Sequence, residues 1–314
     1  MIYEIFHETK FKYPALVTFS HDIARLTPKV TLKQKLLEHT LEITPTPYES
    51  NTFMDYFENE NTYMLIREAH KTLTIVSKSK VELLEDEIIN HIENAKQTTI
   101  TYGELKQRLS EHKSEDALAF QYLFETDTIT AATKEIKEYI LQSFSDDRTI
   151  FEATNEFMER IFTDFKFVSG FTDITTPIEE VFREKKGVCQ DFAQFAISAL
   201  RSIGIPTRYM SGYIQTYPKK GEKKLFGSDA SHAWFSIYIP DFGWCDFDPT
   251  NNKIPNHEYI LLGFGRDYLD ISPLKGVVKS SGESELSVRV NVQRLEQSSQ
   301  SQTQMSQAIQ SSQS

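Results

Sequence analysis

Two stretches near the N-terminus, MIYEIFHETKFKY (1–13) and YMLIREAHKTLTIVSKSKVELL (63–84), alternate apolar and polar residues in short runs. A period of two, carried by β-branched and aromatic side chains, predicts strands, so residues 1–85 read as an antiparallel β domain. Between them, TPTPYESNTFMDYFENENT (44–62) reads as turns. The period then changes. Segments such as EDEIINHIENAKQ, YGELKQRLSEH and TIFEATNEFMERIFTDFKF repeat apolar residues at spacings of three and four, which predicts a helical connector over 86–165.

Residues 166–275 read as a third unit. A short helix starts at Pro177, where proline suits a first turn. From Cys189 the apolar positions Phe192, Phe195, Ala196, Ala199, Leu200 and Ile203 form one helical stripe, stopped by Gly204 and Ile205-Pro206. Gly187 reads as a flexible lead-in to that helix. Three strand-like pieces follow: TRYMSGYIQTY, HAWFSIYI and GWCDFDPT. The connection PKKGEKKLFGSDAS (218–231) is long for a hairpin, and long loops in compact domains are often functional. A last alternating strand, LSVRVNVQRL, falls in 276–295 and could return to the N-terminal sheet. The Ser/Gln-rich segment 296–314 is expected to be disordered. The fold class expected is therefore α+β, with a Cys-bearing helix packed on an antiparallel sheet. No internal repeat is visible.

Charge and composition narrow the partners. The formal net charge is -11, and the short basic pairs Lys219-Lys220 and Lys223-Lys224 make no stripe, so nucleic acid is excluded as a partner. The N-terminus lacks a basic start followed by an apolar run, and no stretch of about 18 apolar residues occurs; neither a signal peptide nor a membrane span is expected. These features predict a cytoplasmic protein whose two cysteines, Cys189 and Cys245, are free thiols.

Cys189 stands where a helix begins. Unsatisfied N–H groups and the helix dipole there favour a thiolate and could also hold an oxyanion. A nucleophile needs a base, and the base needs an orienter. His232 opens a strand beside Trp234. Asp248 lies sixteen residues on, sharing a strand face with Asp246 and opposite Cys245 and Phe247. With Pro249-Thr250 next, Asp248 is expected near the strand's edge. Taken singly, each residue has a plainer structural reading: a small core thiol, a satisfied histidine, a turn aspartate. Cys245 and the two tryptophans read as packing. The ordered set of Cys at a helix start, then His, then Asp on successive strands favours chemistry.

The blocks GVCQDFAQFAISALRSIGIPTRYMSGY, SHAW and GWCDFDPTNN, in that order, closely resemble the bacterial transglutaminase-like proteins, a papain-like cysteine superfamily. HETKFKY, ARLTPK, the Gln34 region, PTPYESNTFMDYFEN and AHKTLTIVSKSKVEL are similar to the domain that precedes the core in such proteins. The resemblance implies Cys189 as nucleophile, His232 as general acid/base and Asp248 as orienter. It implies a transglutaminase-like cysteine hydrolase or acyltransferase, of the peptidase or amidase kind, acting on a peptide or protein amide through a thioester. No cofactor or metal is implied: the Cys-x-x-Cys spacing of common zinc sites and an EF-hand-like loop are both absent. Two positions depart from the family pattern. Ser236 stands where a Glu is common, and Glu58 replaces glycine in the Phe57-Glu58-Asn59 motif. A different reading keeps the same fold as a non-catalytic protein-binding module.

Overall fold

The computed structural model describes residues 1–217, 225–227, 229–278, 282 and 284–295. Most of the predicted loop after strand Thr207–Ile214, with its four lysines, and the Ser/Gln-rich segment lie outside the described residues.

The N-terminal alternation does form strands. Ile2–Val17 runs antiparallel to His70–Leu83, which pairs in turn with Gln34–Thr44. The closing strand Glu285–Leu295 returns to the free edge of the first strand, with Ile2 opposite Leu295 and Lys12 opposite Glu285. A second sheet has the order Leu274–Val278, Ser20–Ala24, Glu60–Ile66, Glu49–Met54. Tyr13, Leu73 and Ile75 of the first sheet and Met64 and Ile66 of the second share one core, so the two sheets make a sandwich. The strand Glu49–Met54 falls within the stretch expected to be turns. All six of its residues are exposed, so burial imposes no alternation on it.

The third sheet is the scaffold of the site. Its order is Gly243–Phe247, Ser231–Ile239, Thr207–Ile214, Tyr259–Gly265, all antiparallel. The helix Cys189–Ser202 lies on one face, burying Phe192, Phe195, Ala196, Ala199 and Leu200 against Ala233, Phe235 and Ile237. The apolar sides of helices Tyr102–Ser110, Lys134–Leu141 and Ile150–Asp164 enter this same core through Leu105, Ile140 and Phe157. The stretch read as a connector thus builds the layer behind the Cys-bearing helix. Gly204, at φ +85°, turns the chain out of that helix where a side chain would be strained.

Two amides fasten the sandwich to the core sheet. Gln34 donates to the carbonyl of Leu261 at 2.8 Å and accepts from its N–H at 2.8 Å. Asn59 does the same for Phe264, at 2.9 and 3.2 Å. Tyr259–Gly265 is an edge strand, and these side chains occupy backbone groups that would otherwise stay open. Apolar packing of Tyr3, Ile5 and Val292 on Tyr213, Ile260 and Leu262 completes the joint.

Candidate active site

The helix start is built by Asp191. Its carboxylate accepts the Val188 N–H at 2.7 Å and the Thr172 hydroxyl at 2.5 Å. Burial raises its pKa, while those two bonds pull the other way. Gly187 is needed for closeness rather than flexibility: a Cβ there would stand 2.7 Å from the Asp191 carboxylate. Val188 keeps an extended backbone, and Cys189 follows as the first helical residue, half-buried. Its neighbours at the helix start carry backbone N–H groups with no partner inside the helix.

His232 enters from the strand Ser231–Ile239, two residues from the sheet's central aromatic Trp234, whose indole stacks on it at 6.1 Å between centroids. The imidazole is only 7% exposed, and its Nε2 meets Asp248 Oδ2 at 2.8 Å. Asp248 is fully buried, not at a solvated edge. Its Oδ1 accepts the N–H of Thr250 at 2.9 Å, and its Oδ2 accepts Tyr259 Oη at 2.6 Å and Asn251 Nδ2 at 2.7 Å. The Asp-Pro-Thr-Asn turn folds the chain back over the carboxylate, and Tyr259 seals it from the far strand.

The electrostatics follow. Burial pushes His232 towards the neutral form. The Asp248 carboxylate that accepts its N–H, and then the nearby Cys189 sulfur, outweigh it and hold the pKa well above the ordinary value. Burial of Asp248 acts against its ionised form, but the bonds and charge of His232, and then Tyr259 and Asn251, keep its pKa below the usual carboxylate range. Cys189 and His232 therefore share one cleft, with Asp248 bonded behind the imidazole. Cys245 does not join it. That thiol is 1% exposed in the core under the helix, and burial pushes its pKa far up.

Cys189 and His232 open onto a cleft of about 290 Å³. One wall is the core, with Tyr209, Ser211 and Tyr268; the other belongs to the sandwich, with His7, Thr9, Phe11, Leu286 and Val288. Tyr209 was not singled out from sequence; it is buried, and the Cys189 sulfur lies within its electrostatic reach. Asn251 and Tyr259 were missed too, although the Asn lies inside the quoted turn. Among the described residues no three His, Cys, Asp or Glu side chains are grouped as metal ligands, and no helix is long and apolar enough to cross a membrane.

Comparison with known proteins agrees with this layout. Residues 3–82 match the bacterial transglutaminase-like N-terminal region, and residues 134–249 match the transglutaminase-like superfamily. An uncharacterized protein of Mycobacterium tuberculosis is 35% identical over 298 residues, covering 92% of this chain and 92% of its own length. A protein-glutamine gamma-glutamyltransferase of Pseudomonas aeruginosa is 32% identical over 101 residues, 30% of this chain and 15% of that one. Among solved structures, a proposed cysteine protease from Cytophaga hutchinsonii superposes with a TM-score of 0.73 at 18% identity, covering 95% of this chain and 92% of that one; this likeness concerns the fold. The chain belongs to the transglutaminase-like superfamily, with the bacterial N-terminal region ahead of its core, and that membership points to papain-like cysteine hydrolase or acyltransferase chemistry.

Proposed function

We propose that the protein is a cysteine amidase or peptidase of the transglutaminase-like kind, with Cys189 as nucleophile, His232 as general acid/base and Asp248 as orienter. The observation that carries this reading is the buried His232–Asp248 pair at 2.8 Å, on the same cleft as Cys189. His232 already holds the thiol's proton, and the sulfur attacks the amide carbonyl as a thiolate. The oxyanion forms beside the free N–H groups of the helix start, and the Tyr209 hydroxyl is the second donor. His232 then protonates the leaving amine or ammonia, leaving a thioester. It next takes a proton from water, and hydroxide attack releases the acid and restores the thiol. An amine in place of water would give transamidation by the same steps.

Among the described residues, the cleft lining carries no ionisable group other than tyrosine apart from His7, His232 and Cys189. That favours a neutral acyl donor: a peptide bond between apolar residues or a glutamine carboxamide. Iodoacetamide labelling at neutral pH, read by mass spectrometry, tests the assignment together with ammonia or amine release from peptides and glutamine amides. Cys189 should react at least about tenfold faster than Cys245, and most of that advantage should vanish in His232→Ala. Equal labelling of both thiols in the two proteins, with no amide turnover, would sink the proposal.

A further inference from the structure

A second cavity, also about 290 Å³, lies on the face of the core sheet turned away from the Cys-bearing helix. Strand register sets three polar residues in a row across that face, Arg208 opposite Ser236 and Ser236 opposite Asp246. Arg208 and Asp246 line the cavity with Trp234, Trp244 and Phe264. The guanidinium lies 4.3 Å from the centroid of the Trp244 ring and 3.9 Å from that of Phe264. Two rings thus lie against the guanidinium, and a guanidinium stacked on rings keeps its N–H groups free for an acceptor in its plane. Arg208 Nε is buried with no hydrogen-bond partner. Trp234 is 1% exposed, and its Nε1–H is likewise a buried donor with no partner. Ser236 Oγ is a third such atom.

Buried donors left open are uncommon in a native protein and call for an acceptor. The charges on the lining agree. Among the described lining residues Arg208 and Lys33 are basic, Asp246 is the one carboxylate, and burial lowers the His91 pKa. One positive charge is therefore uncompensated. Met210, Leu261 and Phe264 add apolar wall, beside the polar Thr31, Gln34, Asn256 and Tyr259.

We propose that this cavity is a second ligand site, distinct from the Cys189 cleft, that takes a small carboxylate with a flat apolar body. The carboxylate lies in the guanidinium plane, accepting from Arg208 and from the Trp234 indole, and the body fills the space between the rings. The site shares its wall with the candidate catalytic pair, because Trp234 stacks on His232 and Tyr259 donates to Asp248. The proposal does not depend on what Cys189 does.

The chain has two tryptophans and both line this cavity, so intrinsic fluorescence excited at long wavelength reports on it, and Trp244 stands clear of the Cys189 cleft lining. Benzoate is the probe, benzamide its neutral counterpart. Benzoate should give a saturable change in the full chain and in Cys189→Ser, whereas benzamide should not. Arg208→Met, which keeps the stem between the rings, should weaken benzoate at least about tenfold. If that variant does not fold, the benzoate–benzamide contrast on the wild type decides. No saturable response, equal responses to the two probes, an unchanged titration in folded Arg208→Met, or loss of the response in Cys189→Ser would each overturn the proposal.

Discussion

Two buried histidines face one cleft from opposite walls. His7, 1% exposed on the sandwich wall, pairs through Nδ1 with the Tyr213 hydroxyl at 2.8 Å and through Nε2 with Thr9 at 3.1 Å. His232 has a carboxylate at the same distance as that tyrosine. Burial lowers the His7 pKa to about 4, whereas His232 is raised against an equally unfavourable burial. Hydroxyls serve either tautomer and offer no charge; a buried aspartate does. The positive charge of this cleft is thus located by Asp248, not by the presence of an imidazole.

The largest effect should come from making the two walls alike. Asp248→Asn keeps an oxygen for the Thr250 N–H but removes the charge. Amide turnover, as kcat/KM, should fall about a thousandfold. The pH profile of stability should also reverse. In the wild type the raised His232 contributes stability fully below about pH 6.5 and loses it as pH rises through its folded value; in the variant the loss should come instead as pH falls below 6.5. A variant retaining more than a tenth of the activity would refute the role given to Asp248.

His7 offers the opposite case. Its pKa is lowered in the fold, so its contribution is complete above about pH 6.5 and disappears as pH falls through 4. Relative to His7→Gln, urea denaturation should show the wild type losing up to about 3 kcal/mol across that window. Parallel curves would mean that His7 is not held neutral.

Tyr209→Phe tests whether the core wall also supplies a donor. Loss of the hydroxyl should cost about ten- to a hundredfold in kcat and leave KM within about twofold, because the helix N–H groups remain. A change in KM alone would make Tyr209 a binding residue. The smallest effect lies away from both histidines. Glu58 takes φ +58°, a left-handed conformation costly for a residue with a side chain. Glu58→Gly should raise stability by about 0.5–1 kcal/mol in thermal unfolding, net of glycine's extra freedom in the unfolded chain, without altering turnover. A lower melting temperature would contradict this.

Some of this was legible in the chain itself. The stripe from Phe192 to Leu200 identifies the helix although its other sides are buried too, and the order of Cys189, His232 and Asp248 follows from a helix leading into an antiparallel sheet. The strand Glu49–Met54 was not legible, because no face of it is buried. Tyr259 and Tyr209 were hidden for a different reason. Each acts through sheet register and chain distance, and nothing local marks either as a partner. Alternation in LSVRVNVQRL foretells a strand, but pairing with Ile2–Val17 depends on an edge left open at the far end of the chain.

That last pairing orders events during synthesis. Leu286 and Val288 line the cleft, and they belong to the final strand, which zips onto the first across a separation of most of the chain. A ribosome delivers Cys189, His232 and Asp248 well before it delivers this strand. A growing chain can therefore carry these three residues, and His7, Thr9 and Phe11 of the facing wall, while still lacking Leu286 and Val288. Closing so long a loop is also slow, since its entropy must be lost before any of its contacts form. Completion of the cleft's sandwich wall waits for the last strand to arrive.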